Sequence, residues 1–215
     1  AGVGLHTITY IYFNGTCSNT ALQDIVVNDL PVVDLDTPDS YCVNDVAKIL
    51  TGGTPMGGFY SGSGVSGSSF DPSLAGTGTH TLSYSYTDPA TTCTNTAAEG
   101  IVVHTLPTIV IDPVADMCAN DAAVRLSATP LGGVFTGPGV ASGFFDPSVA
   151  GTGTHIINYT YTDPVTTCTT ISTILIKILN APIAGLSLFP PVCDNVAPFS
   201  LTGGIPSGGT YSGIG

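Results

Sequence analysis

Cysteine, histidine and aspartate are the residues in this sequence whose types and spacing could do chemistry. The six cysteines are Cys17, Cys42, Cys93, Cys118, Cys168 and Cys193. A zinc site needs Cys-x-x-Cys or nearby histidine pairs, and neither spacing occurs, so the cysteines read as disulfide formers. His6, His80 and His155 recur at a long interval with no second catalytic group recurring beside them. They read as hydrogen-bonded structural histidines rather than ligands or general bases. Asp34, Asp36 and Asp39 cluster in one stretch, and Asp112 and Asp116 in the corresponding later one. Such oxygens could hold Ca²⁺, but residues 183–192 carry no acid, and turn-forming or solvated aspartate is the preferred reading. Gly62-Ser-Gly-Val-Ser-Gly67 matches the three-glycine dinucleotide pattern, yet it opens no helix and has no βαβ context. Its counterpart, Gly137 to Gly143, breaks the spacing and contains Pro138, so both read as loops. Asn44, Asn120 and Asn195 each follow a cysteine by two residues and read as side-chain-capped turns. No nucleophile elbow or triad emerges, so the expectation is a protein that is not an enzyme.

The elements that position these residues come from an internal repeat. Ala75-Gly-Thr-Gly-Thr-His80 returns as Ala150-Gly-Thr-Gly-Thr-His155, a period of 155 − 80 = 75 residues, and earlier as Ala1-Gly-Val-Gly-Leu-His6. Phe70-Asp-Pro-Ser73 returns as Phe145-Asp-Pro-Ser148, and Tyr84-Ser-Tyr-Thr-Asp-Pro89 as Tyr159-Thr-Tyr-Thr-Asp-Pro164. Gly57-Gly-Phe-Tyr-Ser-Gly62 recurs as Gly132-Gly-Val-Phe-Thr-Gly137 and Gly208-Gly-Thr-Tyr-Ser-Gly213. Joints at Leu30-Pro31, Leu106-Pro107 and Ala181-Pro182 divide the chain into four parts. Residues 1–31 are the C-terminal half of a repeat, 32–107 and 108–182 are whole repeats, and 183–215 are an N-terminal half. The expectation is a portion of a longer array.

Each repeat reads as strands. His80, Leu82, Tyr84 and Tyr86 alternate with Thr81, Ser83 and Ser85, and the pattern returns at His155, Ile157, Tyr159 and Tyr161 and at His6, Ile8, Tyr10 and Tyr12. Period-2 alternation of aromatic and aliphatic residues is the strand signal. A second strand follows at Ile101–Val103, Ile174–Ile176 and Ile25–Val27, and the Asp88-Pro89 pair predicts a hairpin turn between the two. Shorter strands are predicted at Val46–Leu50, Phe59–Tyr60 and Val124–Leu126, and no stretch carries a helical period with a cap. Short strands broken by Gly, Pro and Asp turns predict an all-β fold: tandem small immunoglobulin-like β-sandwich domains forming an elongated rod.

In this frame each whole repeat holds two cysteines, which predicts the pairs Cys42 with Cys93 and Cys118 with Cys168. Cys17 and Cys193 stand alone in the half-repeats and are expected to be unpaired within residues 1–215. Disulfides stabilise domains whose cores are marginal and put the chain outside the cytoplasm. Lys+Arg 3 against Asp+Glu 15 gives a net charge of −12, which excludes a nucleic-acid binder working through phosphate neutralisation and disfavours an anionic membrane surface. The most apolar run, Ile174 to Leu179, is too short to cross a bilayer and is interrupted by Lys177.

The compound pattern of Cys-x-Asn-Asp, Gly-Gly-x-Tyr-Ser-Gly-x-Gly-Val, Phe-Asp-Pro, Ala-Gly-x-Gly-Thr-His and Tyr-Thr-Asp…Cys resembles the Ig-like repeats of giant Bacteroidota surface proteins. Gliding-motility adhesins exported by the type IX secretion system are the best-known members. The resemblance implies an exported, extracellular cell-surface filament built from many such domains.

The expected function is therefore a structural stalk or fibre segment of a large adhesin, whose partners are neighbouring repeats and, beyond them, a surface polysaccharide or other substratum. Two alternatives stand beside it. One is a filament subunit in which residues 183–215 are completed by residues 1–31 of the next molecule, with Cys193 bonded to Cys17 of that neighbour. The other is a carbohydrate-binding module, which the absence of Trp disfavours.

Overall fold

A computed structural model describes residues 2–37 and 40–213. The fold is almost entirely β, 46% strand and 4% helix, as the alternating pattern predicts. Two compact units divide the chain. The first holds residues 1–107 together with 162–170, and the second holds 108–161 with 171–215.

The first unit opens with a long hairpin, β1 (Gly4–Phe13) and β2 (Ser18–Val27). Short strands follow: β3 (Asp34–Leu35), β4 (Ser40–Cys42), β5 (Lys48–Ile49), β6 (Gly53–Thr54), β7 (Phe59–Ser61), β8 (Val65–Ser66) and β9 (Ser69–Phe70). Helix α1 (Pro72–Ala75) leads into a second long hairpin, β10 (Gly78–Thr87) and β11 (Thr94–His104). The order β4-β11-β10-β7 makes a four-stranded sheet, with β4 parallel to β11 and the remaining pairs antiparallel. A three-stranded sheet, β5-β9-β8, and a two-stranded one, β3-β6, supply the opposing residues.

Alternation along β10 and β11 decides which residues meet. Leu82, Tyr84, Ile101 and Val103 point inward and cluster with Leu35, Tyr41, Leu50 and Phe70. Phe70, Leu82 and Ile101 are fully buried, each such side chain contributing roughly 1.5–3 kcal/mol relative to exposure. Thr81, Thr87 and Thr94 face out on the same hairpin.

The second unit repeats the plan: β12 (Val110–Ile111), β13 (Met117–Cys118), β14 (Val124–Arg125), β15 (Ala128–Thr129), β16 (Val134–Thr136), β17 (Val140–Ala141), β18 (Phe144–Phe145), α2 (Pro147–Ala150), β19 (Gly153–Thr162) and β20 (Thr169–Leu179). Its four-stranded sheet is β13-β20-β19-β16, again with the short first strand parallel to the long last one. Phe145, Ile157, Ile176 and Ile178 take the places of Phe70, Leu82, Ile101 and Val103. In the rest of this unit, only β21 (Gly185–Leu186) and β22 (Gly204–Ile205) form between residues 183 and 213.

Helices α1 and α2 depart from the purely β expectation. Asp71 and Asp146 each accept a hydrogen bond from the amide two residues on, at Ser73 and Ser148, and Pro72 and Pro147 occupy the first turn. An aspartate N-cap followed by proline starts a helix, and Gly76 and Gly151 stop each after a single turn. Four residues are too few to show a helical period in sequence.

Candidate functional site

The cysteine pairing is the main correction to the sequence reading. The structure joins Cys42 to Cys168, with Cα atoms 5.6 Å apart, and leaves Cys93 and Cys118 as half-buried free thiols. The expected Cys42–Cys93 and Cys118–Cys168 pairs are not formed, and the reason is strand geometry. Cys42 pairs in register with His104, the last residue of β11, whereas Cys93 immediately precedes Thr94, the first. At roughly 3.3 Å per residue, the length of β11 separates the two by on the order of 30 Å, against the 4.4–6.8 Å or so that a disulfide spans. Cys118 faces Leu179 at one end of β20 while Cys168 precedes Thr169 at the other, so the second pair fails in the same way. Cys17 and Cys193 are free and exposed.

Cys42 lies in a built setting. Its amide donates to Asp45 Oδ2 at 2.8 Å, the Asp45 amide donates back to the Cys42 carbonyl at 2.9 Å, and the Val43 amide donates to the His104 carbonyl at 3.0 Å. Burial, and then the Asp45 charge, push the Tyr41 phenol above its ordinary range. Cys168 comes from the loop between β19 and β20, which belongs to the first unit. There Asp163 accepts from the Val165 and Thr166 amides at 2.9 Å each, its own amide donates to the Cys168 carbonyl, and Thr167 adopts φ 61°. The Thr166 and Val165 hydrogen bonds, with a smaller contribution from His104, hold the Asp163 carboxyl below the usual range.

The turn after each cysteine was expected to be capped by Asn44, Asn120 or Asn195. The structure gives that role to the next residue: Asp45 caps Cys42, and Asp121 caps Cys118 at 2.7 Å. A carboxylate one residue further on reaches the cysteine amide across the turn. In the third copy Val196 stands at that position, and only the backbone bond from its amide to the Cys193 carbonyl remains.

His80 and His155 are half-buried, and each ring Nε2 lies 2.8 Å from a glycine carbonyl, Gly76 and Gly151, closing the helix-to-strand turn. His6 makes the same contact with Gly2 at 2.6 Å. Asp34 lies in β3 and Asp36 just after it, while Asp39 lies outside the described residues. Among the described residues no three His, Cys, Asp or Glu side chains gather as a metal site would require. The glycines Gly62, Gly64 and Gly67 form the loop around β8. Gly64 has φ +77°, and a Cβ there would lie 2.7 Å from the Asp71 carbonyl oxygen and 2.8 Å from Ala75 Cβ.

Sequence reasoning missed the tyrosine clamps. Tyr84 Oη accepts from the Gly58 amide at 2.8 Å and donates to the Pro55 carbonyl at 2.5 Å. Tyr159 repeats this with Gly133 and Pro130 at 2.8 and 2.6 Å. The available signal was Thr54-Pro55-Met-Gly57-Gly58 recurring as Thr129-Pro130-Leu-Gly132-Gly133 at a fixed offset from each tyrosine.

No protein-family model matches the chain, and no curated protein matches it.

Proposed function

We propose that the chain is a stalk segment of an extracellular cell-surface adhesin, built from tandem immunoglobulin-like repeats. The Cys42–Cys168 bond carries this reading. It joins the opening of the 32–107 repeat to the 108–182 repeat over a separation of 126 residues. A covalent tie from one repeat to the next suits a chain that bears tension, and disulfides persist in oxidising surroundings. The repeated pairing of a short first strand in parallel with the long last strand supports the immunoglobulin-like assignment. The charge of −12 with only three Lys and Arg suits an exposed fibre with few sites for trypsin-like proteases. Similarity to the repeats of type IX-exported gliding adhesins points the same way. Antibodies raised against the chain are expected to label intact cells of the producing organism. Labelling that appears only after permeabilisation would overturn the reading, and saturable binding on a glycan array would favour a carbohydrate-binding module instead.

A second reading, a filament subunit completed by a neighbouring molecule, rests on a separate observation. Ile8 and Tyr10 in β1 are 55% and 65% exposed, whereas their counterparts Leu82 and Tyr84 are buried. Residues 184–212 surround an open groove lined by Leu186, Leu201, Ile205 and Tyr211. Tyr211 corresponds to Tyr60, which packs on Tyr84 at 4.7 Å between ring centroids, so a strand like β1 would seat beside it. Sedimentation of the purified chain decides between the readings: concentration-dependent polymers support the filament, and monomers at all concentrations count against it.

A further inference from the structure

We infer that the cysteines of this repeat pair in a staggered register, the first cysteine of each repeat acting as a socket for the second cysteine of the repeat that follows. The inference deepens the stalk reading above and identifies Cys118 as a socket whose occupant is the hairpin tip of the repeat that residues 183–215 open. It rests on four matched sites, of which two are bonded and two are free.

The sockets match. Cys42 and Cys118 both end a short strand parallel to the last residues of the long hairpin, facing His104 and Leu179 respectively. Each cysteine amide donates to a carboxylate three residues on, at 2.8 Å for Asp45 and 2.7 Å for Asp121. The following residue in each donates to the carbonyl across the strand, Val43 to His104 at 3.0 Å and Ala119 to Leu179 at 2.9 Å.

The plugs match as well. In the Cys168 tip, the Asp163 amide donates to the Cys168 carbonyl at 2.9 Å, and the Thr167 amide to the Asp163 carbonyl at 2.9 Å. In the Cys93 tip the same bonds run from Asp88 to Cys93 at 3.0 Å and from Thr92 to Asp88 at 2.7 Å. Thr92 and Thr167 share φ 61°, so the free and bonded tips hold one conformation. Bonding therefore selects shapes that exist without it. Cys42 and Cys168 fit each other because each long hairpin carries its plug at one end and its socket at the other. A plug cannot reach the socket of its own repeat, but it can reach a socket one repeat back.

Closing each bond converts two thiols to one disulfide, with two electrons and two protons passing to an oxidised disulfide partner. In a cell that partner is a thiol–disulfide oxidoreductase. In the test below it is oxidised glutathione, one molecule of which yields two of glutathione per bond.

The chain offers its own assay, because its three tryptic sites, Lys48, Arg125 and Lys177, put Cys42, Cys168 and the stretch holding Cys93 and Cys118 on three different fragments. After oxidation by glutathione disulfide, free thiols are alkylated, the chain is unfolded and cut, and linked peptides are read by mass spectrometry. The expected product joins fragment 1–48 to fragment 126–177, with Cys93 and Cys118 alkylated. A 1–48 link to 49–125, or a 49–125 link to 126–177, overturns the staggered register. A second variant tests the empty socket: residues 108–182 are copied in after Pro182, the copy carrying the Ile171→Val mass tag. Fragment 49–125 is then expected to link to the tagged fragment, and adding Cys118→Ser should leave the tagged cysteine alkylated while the 1–48 to 126–177 link persists. Alkylated Cys118 in the tagged variant, with the 1–48 to 126–177 link intact, overturns the socket assignment. If that variant does not fold, mapping of the unaltered chain still decides the register.

Discussion

The Tyr84 hydroxyl bridges two backbone groups some thirty residues earlier in the chain, accepting from the Gly58 amide and donating to the Pro55 carbonyl. The ring is 2% exposed, so neither backbone group has water as an easy substitute once the hydroxyl is removed. Tyr84→Phe keeps the ring and its packing on Tyr60 but leaves a donor and an acceptor unpaired. A loss of about 1–3 kcal/mol is expected, measured by urea unfolding. Tyr60→Phe should cost less, because its hydroxyl accepts a single bond, from the Gly53 amide at 2.8 Å, and Phe135 already occupies the equivalent place against Tyr159.

Gly64→Ala tests how tightly the β8 loop sits on α1. The residue is at φ +77°, and the added Cβ would meet the Asp71 carbonyl oxygen at 2.7 Å, a backbone atom that cannot swing aside. A left-handed alanine costs about 1–2 kcal/mol, and overpacking adds about 1–3 kcal/mol. Gly67→Ala is the control. It sits at φ +60° with nothing within 4 Å, so only the smaller backbone cost is expected. Equal losses in the two variants would show that the loop yields.

Acid should weaken both units through their capping aspartates. The Ser73 hydroxyl and amide lower the Asp71 carboxyl, and Ser148 does the same to Asp146. A folded value below the unfolded one means that the unfolded chain binds more protons in that interval. The contribution to stability is therefore complete above the unfolded carboxylate value of about 4 and is lost as pH falls through the folded values. Denaturation midpoints should drop across that interval. Ser73→Ala should flatten the drop by weakening the Asp71 contribution, and an unchanged slope would remove Asp71 from the account.

Much of this was legible in the residues. Alternation at His80, Leu82, Tyr84 and Tyr86 identified the inward face of β10, because a strand's period of two converts spacing directly into side. The glycine loop at 62–67 was legible from its missing helix. What spacing could not convey was which end of a strand a residue occupies once neighbouring strands have chosen parallel or antiparallel partners. Cys42 and Cys93 share a repeat and still lie at opposite ends of β11, because β4 pairs in parallel with the final residues of that strand. The tyrosine clamps escaped for a related reason: a phenol's partner is set by a turn about 26 residues earlier, and nothing local to Tyr84 indicates it.

Removing the observed bond should separate its contribution from that of the free cysteines. Cys42→Ala or Cys168→Ala opens a loop of 126 residues, for which the chain-entropy model gives about 5 kcal/mol. Cys168 is fully buried, so its alanine variant should lose slightly more than the Cys42 variant through lost packing. The double variant should lose far less than the sum of the two singles, since the bond can be lost only once. Cys93→Ala removes a half-buried thiol with no partner in this chain and should shift stability by less than about 1 kcal/mol. Reduction of the unaltered chain by dithiothreitol should reproduce the Cys42→Ala loss and leave that variant unmoved. If Cys93→Ala proved as costly as Cys42→Ala, the Cys42–Cys168 pairing would be the wrong one in solution.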